Sequence, residues 1–465
     1  MQELLSRCQT KKVRVWGTLM LAPFQRWGLD VAEFDPDAVA QGDIPDVVFV
    51  TQAPGYFQHD VEVMYRAAAE GVTFVTLSAT DQWSARIARR LGFTYEGVLT
   101  VGAAAKNDYA LFAAEPSLVA GLADGQSLET AFTPLIARAW MHGMYLTGGR
   151  CLLGLADLKQ GRAATAIAQY PIGRGGFTLV GPRLYENPDE PVCKRLLLNL
   201  IDRATRPSAP LNLPCVYHPT PPEGKPYFEL NVPGAPFAYL TQARPKDHIW
   251  HLGFFFSWKF INGANFWEPD AARAGCTRVV AHRETGDGKG NATLESTLAY
   301  ELDGRVILTE NRTVKVAKAA NGSYSFDWTA NFEAAEDLAF SASEPVWDKE
   351  KGTCNGGGYA GLSARLARNG DFEFTYTNES GSRDQRCYGD RGTTLDVAAK
   401  AKRTGETTHV RFRADKPTAN YALHLPENYA PDGFHFVGLP ECFGETVTLA
   451  KGAKRRLHYT VTVEK

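Results

Sequence analysis

Asp247-His248-Ile249-Trp250-His251-Leu252-Gly253-Phe254-Phe255-Phe256-Ser257-Trp258-Lys259-Phe260-Ile261-Asn262-Gly263-Ala264-Asn265-Phe266-Trp267-Glu268 puts two histidines, an aspartate, a lysine, two asparagines and eight aromatic rings in one segment. Read as a strand, its side chains alternate faces. Leu252, Phe254, Phe256, Trp258 and Phe260 then form an apolar face that must be core. His251, Gly253, Phe255, Ser257 and Lys259 form the opposite face, which is either ordinary solvated surface or a ligand site. A strict strand would send His248 and His251 to opposite sides. A turn over residues 247–250, favoured by Pro245 and Asp247, would bring both to one site.

Downstream, residues 227–465 read as successive hairpins. Thr293–Glu301 turns at Asp303-Gly304 into Arg305–Val316, and Asn321-Gly322 leads into Ser323–Phe332. Leu362–Ala367 is expected to turn at Asn369-Gly370 into Phe372–Thr377, and Thr446–Ala450 to pair through Lys451-Gly452 with Leu457–Glu464. Asp-Gly and Asn-Gly between alternating runs are strong hairpin signals. Their repetition implies a large antiparallel β-sandwich. Along Arg305–Val316 the apolar face is interrupted by Glu310 and Arg312. Buried charges must be paired or face a cleft. The two residues are therefore a structural pair at a sheet edge or the lining of a concave site. His282, beside Val280 on a short strand, poses the same choice.

Upstream the rhythm differs. Val13–Trp16, Asp46–Val50 and Val72–Leu77 are β-branched runs, with helical periodicity over Val61–Ala69 and Gln82–Leu91. Strand–helix alternation implies a parallel sheet flanked by helices. A strand pair, Ala163–Tyr170 and Gly176–Gly181, and a helix over Asp189–Ala204 close this half. Between Arg206 and Pro226 stand seven prolines, which read as an extended connector. The expected organisation is therefore multidomain: an α/β domain over 1–206, a Pro-rich linker over 207–226 and a β-sandwich over 227–465.

A formal charge of −2 without a basic stripe argues against nucleic acid, and the apolar runs are too short for a membrane span. The Lys11–Phe24 stretch faintly resembles a signal peptide, but Arg14 interrupts it, and a buried strand is the better reading. Eight dispersed cysteines without a C-x-x-C pair suggest reduced thiols and a cytoplasmic setting. On that reading the sequons at Asn291, Asn311, Asn321 and Asn378 are chance matches.

The first half resembles class-I glutamine-amidotransferase-like domains, which are flavodoxin-like, and especially the degenerate kind attached to bacterial sugar-degrading enzymes. The resemblance rests on Asp46–Thr51, Leu77-Ser-Ala-Thr80, Glu115-Pro-Ser-Leu-Val-Ala-Gly-Leu122 and Gln169-Tyr-Pro-Ile-Gly-Arg-Gly-Gly176. Active members place a cysteine at the strand-to-helix elbow, where this chain offers Ser78 or Thr80, with His59 and His142 as the half's histidines. The resemblance thus implies a catalytically silent domain.

The second half resembles the PmoA-related β-sandwich family of bacterial sugar-catabolic gene sets. It does so in Asp247-His-x-x-His251, Phe256-Ser-Trp-Lys-x-x-Asn262-Gly-x-Asn-Phe-Trp267, Val279-Val-x-His282 and Leu308-Thr-Glu-Asn-Arg-Thr-Val314. Gly356-Gly-Gly-Tyr-Ala-Gly-Leu-Ser-Ala-Arg365 and Phe443-Gly-x-x-Val-Thr-Leu-x-x-Gly452 complete the set. Two departures stand out: Ile249 and Trp250 lie between two histidines where the family clusters three, and Asn355 occupies a position that is often acidic.

The resemblance implies a carbohydrate ligand. The residue types suit it, since sugars stack on aromatic rings and offer hydroxyls to charged and amide side chains. Phe255, Trp267, Asn262, Asn265, Lys259 and Arg312 are the expected binding residues. His251, His282, Glu310 and His248 are the expected catalytic ones, histidine for proton transfer and Glu310 as partner or base. A lyase or hydrolase acting on a glycoside or modified sugar needs such parts. The same residues can also bind a glycan without turnover. No cofactor is expected, although His248, His251, His282 and Glu310 are also a donor set suited to a divalent metal. Homo-oligomers are compatible with the sequence.

Overall fold

The computed structural model describes residues 1–51, 58–77, 87–88, 90–91, 95–101, 108–122, 126–146, 149–159, 161–204, 211–348, 353–354, 356–368, 370–425 and 434–465. The chain forms two compact units, Met1–Pro210 and Leu211–Lys465.

The first unit is built on a mixed ten-stranded sheet. Asp30–Glu33, Lys12–Trp16, Val47–Val50, Thr73–Thr76 and Gly175–Val180 run parallel in that spatial order. The helix Pro191–Arg203 is capped by Glu190, whose carboxylate accepts from the backbone N–H groups of Val192 and Cys193. It buries Leu196, Leu197, Leu200 and Ile201 against the unit's core. The rest of the sheet is antiparallel, including Tyr95–Val101, Tyr109–Ala113, Met141–Leu146 and Arg150–Asp157. No parallel-sheet rhythm marks these strands in the sequence. Ser78, Thr80, the side chain of His59 and most of the expected helix over Gln82–Leu91 lie outside the described residues.

The second unit is a large antiparallel β-sandwich. Its eight-stranded sheet runs Cys276–Gly286, Ala292–Leu302, Arg305–Lys318, Tyr324–Ala334, Lys454–Glu464, Thr407–Ala419, Arg391–Ala401, Phe372–Asn378. Its six-stranded sheet runs Val216–His218, Tyr227–Glu229, Phe254–Ser257, Gly361–Arg365, Phe434–Pro440, Tyr421–Leu425. Between them Phe254 meets Phe326, Trp328 and Phe412 at ring-centroid distances of 5.3, 5.5 and 6.0 Å. Burying each such ring contributes roughly 1.5–3 kcal/mol.

Residues 211–218, expected in the connector, belong to this sandwich. Leu211, Leu213, Cys215 and Tyr217 are buried in its core, and Val216–His218 is the edge strand of the smaller sheet. Proline excludes the ladder interior, but an edge strand of three residues between Pro214 and Pro219 tolerates it.

Two hairpins of the sequence reading form as such, at Asp303-Gly304 and Asn321-Gly322. Two do not. Gly361–Arg365 belongs to the six-stranded sheet and Phe372–Asn378 to the eight-stranded one, so the chain crosses between sheets there. Val447–Leu449 pairs with Leu338–Ser341, while Lys454–Glu464 pairs with Tyr324–Ala334 and Thr407–Ala419. A turn signal reverses the chain without choosing the sheet it enters.

Candidate functional site

Period-two alternation gives the six-stranded sheet two different faces. Phe228, Phe254, Phe256, Leu362, Ala364 and Val437 turn to the sandwich core. Tyr227, Phe255, Tyr421, Leu423, Phe434 and Phe436 turn outward and, with Leu252, Trp267 and Tyr388, form a second aromatic cluster. Leu252 joins this outer cluster rather than the core face. Gly253, at φ +81°, breaks the alternation just before the strand.

The two histidines meet on this outer face. Turns over residues 245–250 bond the His248 amide to the Pro245 carbonyl at 3.1 Å and the His251 amide to the His248 carbonyl at 3.0 Å. The imidazoles stack at 4.7 Å and 16°. Asp247 Oδ2 accepts from His248 Nδ1 at 2.8 Å and from Arg365 Nη2 at 2.9 Å. Burial pushes the Asp247 carboxyl upward, but the His248 hydrogen bond and the Arg365 charge outweigh it and hold it below its ordinary value. His251 is buried against Phe436 and Trp267, at 4.6 and 6.1 Å. Its Nδ1 has no hydrogen-bond partner among the described residues. Burial first, then the neighbouring His248 ring and the charges of Arg365, Lys225 and Lys259, push it well below the usual imidazole range.

Beside the histidines lies a polar group around Glu268. Its carboxylate accepts from Lys259, with which it forms an ion pair, from Asn265 Nδ2 at 2.5 Å and from Tyr359 Oη at 3.3 Å. Burial pushes the carboxyl up, and the Lys259 bond and charge, with Asn265 and Tyr359, outweigh it. Burial in turn lowers Lys259, opposed by Glu268. Asn265 Oδ1 accepts from the amides of Trp267 and Glu268 at 2.8 and 3.0 Å, which fixes this turn. Tyr359 packs 5.0 Å from Trp267, on a glycine run whose Gly356 and Gly357 carbonyls accept from Tyr388 Oη at 2.8 and 2.9 Å. The face grades from exposed Asp247 and Ile249, through half-buried His248, Trp250, Tyr359 and Glu268, to buried His251 and Trp267. A half-wet aromatic floor with charges at its rim is what a polar ligand with apolar faces requires.

Several expected site residues lie elsewhere. Glu310 and Arg312 are sealed in the core between the sheets. Arg312 Nε and Nη2 donate to Glu310 at 2.5 and 3.0 Å, Tyr300 Oη donates to Glu310 at 2.6 Å, and the guanidinium sits 4.8 Å from the Trp328 ring. They form a satisfied structural pair away from the outer face. His282 stands on the edge strand of the larger sheet, its Nδ1 2.9 Å from Ser296 Oγ and its Nε2 2.8 Å from Glu284 Oε1, with its ring 5.6 Å from Tyr217. It is not brought to His251. Asn262, at φ +50°, is a turn residue: its Nδ2 donates to Glu336 and to the Asp337 carbonyl at 3.3 and 3.2 Å, and its Oδ1 accepts from the Ala339 amide at 2.8 Å. Phe255 forms part of the floor, 5.3 Å from Trp267. The donor set His248, His251, His282 and Glu310 does not converge, and among the described residues no three His, Cys, Asp or Glu side chains gather as a metal site. Asn355 lies outside the described residues.

Sequence reasoning missed Arg365, Lys225, Glu268, Tyr359 and the role of Asp247. An arginine ending the otherwise apolar Gly361-Leu-Ser-Ala-Arg365 run was a usable signal, because a 1% exposed guanidinium must have partners.

A family model described as "Family of unknown function (DUF6807)" matches residues 226–465. The chain belongs to the DUF6807 family. Its DUF6807 region holds both sheets from Tyr227 onward and all the groups just described except Tyr217 and Lys225. No curated protein matches the chain. Among solved structures, it is similar to the GH36 alpha-galactosidase AgaA from Geobacillus stearothermophilus (14% identity, 50% of this chain and 33% of that one, TM-score 0.29). An alpha-galactosidase from Lactobacillus brevis is 8% identical over 54% of this chain and 38% of that one, with TM-score 0.30. A 4-alpha-glucanotransferase from Thermococcus litoralis is 9% identical over 59% and 41%, with TM-score 0.26. The chain spans about a third of the length of the first of these structures. At these scores the likeness assigns no activity to the DUF6807 chain.

Proposed function

We propose that the second unit binds a carbohydrate on the outer face of its six-stranded sheet and acts on a glycoside or modified sugar by histidine-assisted acid/base chemistry, as a lyase or hydrolase. The observation that carries this reading is the Asp247–His248 pair at the rim of the aromatic floor. With its Nδ1–H donated to Asp247, neutral His248 keeps Nε2 as the basic nitrogen, and Nε2 makes no hydrogen bond among the described residues. A proton taken there creates an imidazolium that the Asp247 carboxylate stabilises, while Arg365 holds that carboxylate in place. Proton abstraction beside a sugar carbonyl, or activation of water at a glycosidic carbon, needs a base so held. Trp250 and Tyr359 offer half-exposed rings to sugar C–H faces, and half-buried Glu268, held by Lys259 and Asn265, offers its carboxylate to hydroxyls.

A reading as a non-catalytic carbohydrate-binding protein is favoured by Glu268, which is engaged by Lys259, Asn265 and Tyr359 rather than poised as a second acid. A panel of glycosides, unmodified and oxidised at one hydroxyl, separates the two. The enzyme reading expects turnover that His248→Ala removes while binding persists; binding without turnover by the wild type favours the module.

In the same reading the second unit is a PmoA-related sandwich, supported by the order of its motifs over residues 247–452. The first unit is a degenerate, catalytically silent class-I amidotransferase-like domain of flavodoxin-like type, supported by its five parallel strands. Its role is then to shape interfaces.

A further inference from the structure

Each of three cations on the outer face has a carboxylate partner. Lys259 is paired with Glu268, Arg365 with Asp247, and Arg244 with Glu223 through bonds of 2.6 and 2.8 Å. Lys225 differs: it forms no ion pair among the described residues. It is 7% exposed, and its Nζ donates to the Trp267 carbonyl oxygen at 3.1 Å. An ammonium has three donors, and a carbonyl oxygen occupies one without neutralising the charge. Burying such a cation is costly unless an anion joins it. Its position is fixed by the chain, since Gly224, at φ +67°, passes too close to the Thr277 carbonyl for any side chain. The ring of His251 feels the charge of Lys225, and among the described residues its buried Nδ1 also lacks a partner. Among the described residues, one cation without a direct ion pair and one imidazole nitrogen without a partner are thus left on the aromatic floor.

We propose that this face takes a sugar acid, its carboxylate seated against the Lys225 ammonium beside His251, in preference to a neutral sugar. The inference rests on the carbohydrate reading above and narrows its substrate class. A carboxylate supplies the missing counter-charge and accepts the unused donors of Lys225, while the pyranose ring covers the aromatic side chains. Burial moves Lys225 down to about 8; Glu223, Glu268 and Cys276 oppose that shift and Lys259 reinforces it. The carboxylate preference is therefore full at neutral pH and fades as pH rises through about 8.

Calorimetric titration of the full chain with glucuronate and galacturonate, their methyl esters, and glucose and galactose tests this at pH 7 and pH 9.5. The acids are expected to bind at least about tenfold more tightly than their esters at pH 7, as charged hydrogen bonds allow. That ratio should approach one at pH 9.5. Lys225→Met should abolish the ratio at both pH values, and Lys225→Arg should keep it at both. Equal affinity of acid and ester at pH 7, or an acid preference that survives Lys225→Met, overturns the inference and leaves the carbohydrate reading standing. Failure of every saccharide to bind overturns both. The wild-type pH series decides the matter even where Lys225→Met fails to fold.

Discussion

The Nδ1 of His248 lies 2.8 Å from Oδ2 of Asp247, the same oxygen that accepts from Arg365 Nη2 at 2.9 Å. One carboxylate oxygen thus ties a half-exposed imidazole to a buried guanidinium and fixes which ring nitrogen faces solvent. Asp247→Asn keeps the shape and removes the charge. Turnover on a sugar substrate should fall by about 10²–10⁴-fold with affinity within about threefold, as expected for loss of base orientation. A matching loss of affinity with turnover per bound substrate intact would make Asp247 a binding residue instead.

The carboxyls of Asp247, Glu223 and Glu268 all sit below their ordinary range, because cationic and hydrogen-bonding partners outweigh burial. A carboxyl with a depressed folded value adds stability that is complete above its unfolded value, near 4, and is lost as pH falls through the folded value. Urea midpoints should therefore drop steeply below about pH 4, and less steeply in Glu268→Gln. Parallel pH profiles for the two proteins would contradict this.

Lys225 has the opposite sign. Its folded value of about 8 lies below the ordinary lysine value of 10.5, so between the two the unfolded chain holds more protons and stability rises with pH. At pH 7 Lys225→Met should be the more stable protein by on the order of 1–3 kcal/mol, with the gap closing toward pH 10. Denaturant titrations at several pH values measure it, and a destabilised Lys225→Met at pH 7 would refute it.

Glu310 and Arg312 form a fully buried pair, so removing one partner strands the other. Arg312→Met should cost about 3–5 kcal/mol, and the double change Glu310→Gln with Arg312→Met should recover much of that. Chemical denaturation reads both, and a single variant within about 1 kcal/mol of wild type would show the pair to be dispensable.

At Gly253, φ is +81° and an added Cβ would stand 2.6 Å from the Phe228 carbonyl oxygen. Gly253→Ala should destabilise the second unit by about 1–3 kcal/mol and disturb the turn that seats His251. Unchanged stability with unchanged sugar affinity would deny Gly253 that role.

The sandwich was readable because its signals are local. Asp303-Gly304 and Asn321-Gly322 join strands that are neighbours in one sheet, so alternation and turn chemistry sufficed. Around Gly370 and Lys451-Gly452 the same chemistry marks passage to another sheet, which depends on contacts far away in sequence. Glu310 and Arg312 were legible as paired charges on an apolar face, but the strand pattern does not say whether such a face looks into the core or a cleft. The site divided the same way. His248 and His251 lie close in sequence and meet through a turn, whereas Arg365 reaches Asp247 across 118 residues. His282 lies on the other sheet, and nothing in its neighbours' spacing reveals which sheet a strand joins.

The central claim is the location of the ligand, and a crystal structure of the chain with a saccharide that binds in solution tests it most directly. Sugar density is expected against Trp250 and Tyr359, with an oxygen or acidic carbon of the ligand within hydrogen-bond reach of His248 Nε2. Density beside His282, or on a surface away from the outer face of the six-stranded sheet, would contradict the account.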